Sequence, residues 1–110
     1  MVCGKLEIDI LNSFWALEDE DVDISIQDVV DNLSDKGLER AYTTIKTVMD
    51  RLVTKSVLVR YKSGKKFFYR AAVSREEMAS ESVDILVSQF FDGDYSSLIR
   101  FVETECALLV

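Results

Sequence analysis

Residues 41–72 read AYTTIKTVMDRLVTKSVLVRYKSGKKFFYRAA, and the spacing of apolar side chains changes once within them. Up to Val53 it is helical. Ile45, Val48, Met49, Leu52 and Val53 recur at three- and four-residue steps, the buried stripe of a helix from about 40 to 55. After Lys55-Ser56 the period falls to about 2. Val57–Lys62 and Lys66–Ala72 are rich in β-branched and aromatic residues, and Ser63-Gly64-Lys65 between them supplies Gly for a tight turn, which predicts a hairpin. Lys62, Lys65 and Lys66 make its tip basic.

The helical half of this stretch leaves Thr43, Thr44, Lys46, Thr47, Asp50, Arg51 and Thr54 off the core, several of them on one outward surface. Exposed β-branched Thr costs a helix roughly a few tenths of a kcal/mol relative to Ala, so intrinsic stability does not explain their presence there. Short hydroxyls interleaved with Lys suit a helix pressed into the major groove of DNA. There Thr meets a thymine methyl, a base edge or a phosphate, and Lys reaches guanine. The competing explanation is an ordinary surface helix.

Moving outward, Leu6, Ile10, Phe14 and Leu17, flanked by Leu11 and Trp15, give the stripe of a first helix from about 5 to 17. The acidic run Glu18–Asp21 opposes the macrodipole at a helix C-terminus and reads as a solvated loop. Ser25 then caps a short second helix, with Asp28 completing a capping box and Ile26, Val29, Val30 and Leu33 facing inward. Residues 34–37 (Ser-Asp-Lys-Gly) form a turn. Helix, turn, helix and a hairpin with a lysine-rich tip is the order of a winged helix-turn-helix.

Beyond the hairpin the chain is helical again. Ser74 with Glu77 opens a long helix to about Phe91, with Gly93 as its C-terminal cap, and a last helix spans about 95–109. Their apolar residues cover more than one face. We expect Val83, Leu86, Val87, Phe90, Phe91, Leu98, Phe101 and Val102 to form a dimerisation surface, the alternative being that these helices pack back on the first. A dimer suits a palindromic operator. The expected architecture is mainly α with a small β-hairpin: a winged-helix DNA-binding domain over residues 1–73 and a helical dimerisation region over 74–110.

The formal net charge of −7 over 110 residues argues at first against nucleic acid, whose phosphates repel a polyanion. Its distribution reverses that reading. Residues 1–36 carry a net −8 and residues 73–110 a net −6, whereas residues 37–72 hold nine basic and two acidic side chains, net +7. The positive block coincides with the third helix and the hairpin.

Other function classes are poorly served. With no His and only Cys3 and Cys106, neither in a CxxC or CxC pair, the chain offers no zinc or copper cluster, and we expect no metal and no cofactor. It carries no GxGxxG, GxxxxGK[ST] or GxSxG motif and lacks the commonest general base, so we do not expect an enzyme. No apolar run approaches the roughly 18 residues that span a bilayer, and the N-terminus lacks a secretory plan, which points to the cytoplasm and away from membranes.

The run Ala41–Val53, followed by Tyr69-Arg70, Val73-Ser74-Arg75-Glu76-Glu77, Phe91-Asp92-Gly93 and Leu98, resembles the penicillinase-repressor family of bacterial transcription regulators, the BlaI/MecI type. Trp15 fits as well, and the segments keep the family's order and spacing over nearly the whole chain. The resemblance implies a homodimeric repressor on palindromic operator DNA, with Thr43, Thr44, Lys46 and Thr47 as the recognition face, Lys65 and Lys66 on the wing and Arg51 beside them. It also implies a left-handed position at Ser56, where the family usually has Gly. The cleavage that inactivates antibiotic-sensing members falls at a position corresponding to Arg100-Phe101, where the family has Asn before Phe. A reading from another class is a winged-helix protein-interaction module that has lost DNA affinity. Overall acidity favours it, and steep salt dependence of DNA binding would separate the two.

Overall fold

The computed structural model describes residues 4–18 and 22–106. Ordered along the chain are α1 (Lys5–Leu17), α2 (Ile26–Asp35), α3 (Tyr42–Thr54), β1 (Leu58–Ser63), β2 (Lys66–Ala71), α4 (Arg75–Phe90) and α5 (Tyr95–Phe101), which continues into a π-helical turn over Val102–Cys106. The fold is mainly helical with a two-stranded antiparallel hairpin, a winged helix followed by a helical region. The chain divides into two compact units, one ending at Arg75 and the other beginning at Glu76.

In the first unit the three helical stripes meet. Ile10, Leu11 and Phe14 of α1, Val29 and Leu33 of α2, and Ile45, Met49 and Leu52 of α3 are sealed from solvent, and Val57, Leu58 and Tyr69 extend this core under the hairpin. Burying one such side chain fully is worth about 1.5–3 kcal/mol relative to leaving it exposed. The backbone N–H of Tyr69 also donates to the Ile24 carbonyl at 2.8 Å, which ties the segment before α2 to the edge of β2.

Local chemistry ends each helix where the sequence changes. Ser25 accepts from the Asp28 N–H at 3.2 Å while the Asp28 carboxylate accepts from the Ser25 N–H at 2.8 Å, the expected capping box. At the end of α3 the Ser56 N–H donates to Val53 and the Val57 N–H to Leu52, a Schellman closure. Ser56 therefore sits in the left-handed region at φ 64°, where a Cβ is strained. The hairpin turn is two residues, with Gly64 at φ 66° in the first central position, as a II′ turn requires.

Trp15 anchors the chain after the hairpin. Its indole N–H donates to the Val73 carbonyl at 3.1 Å, and the Arg75 guanidinium lies 5.5 Å from the ring centroid.

In the second unit α4 ends with Asp92 and Gly93 both at positive φ, and the Gly93 N–H reaches back to the Val87 carbonyl at 3.1 Å. Asp94 caps α5 by accepting from the Ser96 N–H at 3.0 Å. Hydrogen bonds from the Ser97 hydroxyl and the Ser96 N–H hold its carboxyl below the usual range. Within the last helix expected over about 95–109, α-helical pairing stops at Phe101 and a π-turn follows. The backbone widens there into the π-turn, within which the Thr104 hydroxyl donates to the Arg100 carbonyl at 2.8 Å. Cys3, the acidic residues 19–21 and the expected helix end at 107–109 lie outside the described residues.

Candidate nucleic-acid interface

Because Ile45, Val48, Met49 and Leu52 turn inward, α3 presents its opposite side to solvent. Thr43, Thr44, Lys46, Thr47, Arg51 and Thr54 are all exposed. At about 100° per residue, Thr43, Thr47, Asp50 and Thr54 fall within roughly 60° of one another, Lys46 borders them, and Thr44 and Arg51 share the adjoining strip. Thus the expected recognition residues form one surface with two edges. Arg51 belongs to the edge nearer α1, close enough to Glu7 to help hold its carboxyl below the usual range.

The threonines have defined roles within this surface. The Thr47 hydroxyl donates to the Thr43 carbonyl at 2.9 Å. Its proton is thus committed to the helix, and what Thr47 offers outward is oxygen lone pairs and a methyl group. Those suit an adenine or cytosine amino group and a thymine methyl respectively. No side chain caps the start of α3, where Ala41 is the N-cap. The first-turn N–H groups beside Thr43 and Thr44 are available to an anion such as a DNA phosphate.

On the hairpin, Lys65 occupies the turn and Lys66, paired with Ser63, opens β2; both are exposed. Arg60 and Lys62 lie on one face of the ribbon with their cross-strand partners Tyr69 and Phe67. The Phe67 ring is half exposed, with the Arg60 guanidinium 4.9 Å and the Lys62 ammonium 5.7 Å from its centroid. Tyr69 is 2% exposed, and its burial, with the Asp50 carboxylate nearby, pushes the hydroxyl above the usual phenol range.

Asp50 is the functional candidate that sequence reasoning placed on the surface without giving it a role. Its Oδ2 accepts from Lys46 Nζ at 2.8 Å, which raises the Lys46 ammonium above its ordinary value. Its Oδ1 is buried, makes no hydrogen bond and lies 3.9 Å from the Arg60 guanidinium. The i, i+4 spacing from Lys46 is a usable sequence signal for the first contact; nothing local announces the second.

The residues expected for dimerisation divide by exposure. Val83, Leu86, Phe90, Phe101 and Val102 are exposed, Phe90 at 73%. Phe91 and Leu98 are half-buried, and the Phe91 ring packs on Phe101 at 5.5 Å between centroids. Val87, at 1% exposure, does not belong to the exposed set: in a helix apolar round more than one face, the covered side takes it. Arg100-Phe101 sits at the junction of α5 and the π-turn. Among the described residues no group of three Cys, Asp or Glu is placed to hold a metal ion, and no helix is long and apolar enough to cross a membrane.

A sequence profile of the penicillinase repressor family matches residues 3–108. A penicillinase repressor from Staphylococcus aureus is 26% identical over 100 residues, an alignment covering 90% of this chain and 75% of the relative.

Proposed function

The chain belongs to the penicillinase repressor family of bacterial DNA-binding transcriptional repressors, and from that premise we propose that it acts as a homodimer on palindromic operator DNA. What supports this reading is the exposure of the polar and basic side chains on α3 and the hairpin of the first unit. Thr43, Lys46 and Thr47 are exposed on one helix and Lys65 and Lys66 on the hairpin that follows, within a stretch of net charge +7. In this reading α3 enters the major groove, where Thr47 and Lys46 meet base edges and Thr43, Thr44 and Arg51 meet bases or the adjoining phosphates. The lysines of the hairpin ride on the neighbouring backbone and contribute register and affinity without sequence information.

Residues 1–73 supply the DNA-binding domain and residues 74–110 the dimerisation region, whose exposed Val83, Leu86, Phe90, Phe101 and Val102 a second copy covers, with Phe91, Leu98 and Val87 backing them. Two copies would address half-sites about one helical turn, or a multiple of it, apart. In this reading the protein works in the cytoplasm, on double-stranded operator DNA, without metal or cofactor. Chromatin precipitation with the intact protein, combined with transcript profiling after its gene is deleted, tests repression. Transcripts beside the occupied sites are expected to rise, and unchanged transcripts at those sites would refute the reading.

A further inference from the structure

We propose that Asp50 is a positioning residue for operator recognition: by holding Lys46 on the helix and Arg60 on the hairpin, it sets how strongly the protein prefers its own sites over other DNA. The inference rests on the operator-binding reading above and adds a residue to it.

Asp50 is one of only two acidic residues in the positive stretch 37–72. It lies on the same side of α3 as Thr43 and Thr47, where a carboxylate repels phosphate. Its two oxygens have different partners. One receives the Lys46 ammonium at 2.8 Å, and the other, buried and without a hydrogen bond, faces the Arg60 guanidinium at 3.9 Å. Arg60 in turn stacks on Phe67, over which Lys62 also lies. A continuous line of interactions thus runs from the recognition helix to the outer part of the hairpin, with Asp50 at the joint.

Without that joint, Lys46 is a flexible cation able to reach any phosphate, and Arg60 keeps only its contacts with the hairpin's own aromatic rings. With it, they are held in one arrangement, and part of their charge is already neutralised. DNA that offers only phosphates then meets a carboxylate and two restrained cations, a poor match. A site whose bases satisfy the Lys46 donor and the Thr47 oxygen and methyl recovers the cost, because both side chains already stand in place. Asp50 therefore weakens binding to unrelated sequence more than binding to the operator.

The test is equilibrium titration of the full chain, its Asp50→Asn variant and its Asp50→Glu variant. The probes are a duplex obtained by binding-site selection and a scrambled duplex of the same composition, titrated at several salt concentrations. Asp50→Asn is expected to bind the scrambled duplex about tenfold more tightly while gaining little on the selected one, so discrimination falls by about that factor. Asp50→Glu keeps the charge but displaces it by one methylene. Its salt dependence is expected to match wild type while its discrimination still falls. Thermal denaturation confirms that both variants fold.

Equal tightening on both duplexes by Asp50→Asn, together with an Asp50→Glu protein indistinguishable from wild type, would show a bulk charge effect and overturn the inference alone. A wild-type chain that does not distinguish the duplexes overturns the operator-binding reading and this inference with it.

Discussion

Lys55, the C-terminal cap of α3, donates a hydrogen bond of 2.8 Å to the carboxylate of Glu7 in the first turn of α1. The pair joins the proposed recognition helix to the first helix across 48 positions of sequence. The Glu7 side chain is nearly buried, whereas that of Lys55 is about a third exposed, at 32%.

This pair makes stability depend on acid. The Lys55 ammonium holds the Glu7 carboxyl below its ordinary 4.5, with the Gly4 N–H and Arg51 acting in the same direction and burial opposing them. A depressed carboxyl stabilises the fold in full above the unfolded value. As pH falls below about 4.5 the unfolded chain takes up the proton first, and the contribution is lost as pH passes through the lower folded value. Lys55→Met is expected to cost about 1–3 kcal/mol at neutral pH, less than the 3–5 of a fully buried pair because Lys55 is partly solvated. It should also flatten the decline below pH 4.5. Urea unfolding from pH 7 down to pH 3 reads both effects.

Ser56 supplies a prediction of opposite sign. Its φ of 64° places a Cβ in the left-handed region. Ser56→Gly relieves roughly 1–2 kcal/mol of strain and gives back part of it through a more flexible unfolded chain. A net stabilisation of about 0.5–1 kcal/mol is expected, visible as a higher urea midpoint with unchanged m-value.

Much of the fold and of the candidate site is legible from local pattern, and the exceptions share a cause. The change of period at Ser56 separates α3 from the hairpin, and the box between Ser25 and Asp28 involves partners three residues apart. Those interactions are local, so spacing reveals them. Arg60 is ten positions from Asp50 on a different element, and Lys55 is far from Glu7; no local period announces either meeting. Val87 escapes sequence reasoning because apolar residues round more than one face of α4 do not say which face is covered. The π-turn escapes it too, since the apolar spacing of residues 95–106 is the same for an α-helical and a slightly widened turn.

The recognition face and the wing should separate in their DNA phenotypes. Lys46→Ala with Thr47→Ala is expected to lose about 1–3 kcal/mol per base pairing on a preferred site and to relax preference at the bases they meet. Lys65→Ala with Lys66→Ala should weaken all sequences alike and reduce the slope of log K against log salt by about one for each phosphate no longer neutralised. Anisotropy titrations on preferred and scrambled duplexes across a salt series separate the two.

The exposed face of the second unit carries the dimer prediction. Phe90 is 73% exposed and Leu86 39%, one turn apart on α4. Leu86→Asp with Phe90→Asp places charge where a partner would bury apolar surface. Sedimentation velocity is expected to show a dimer for wild type and a monomer for this variant, and thermal denaturation by circular dichroism checks that the variant still folds.

Selection of bound duplexes from a random pool, carried out with the full chain at low salt, addresses sequence-specific operator recognition most directly. The expected product is an inverted repeat whose half-sites lie about one helical turn, or a multiple of it, apart, bound with an affinity that falls steeply with salt. A pool that yields no enriched motif after repeated rounds would contradict operator recognition and leave the winged helix as a protein-interaction module.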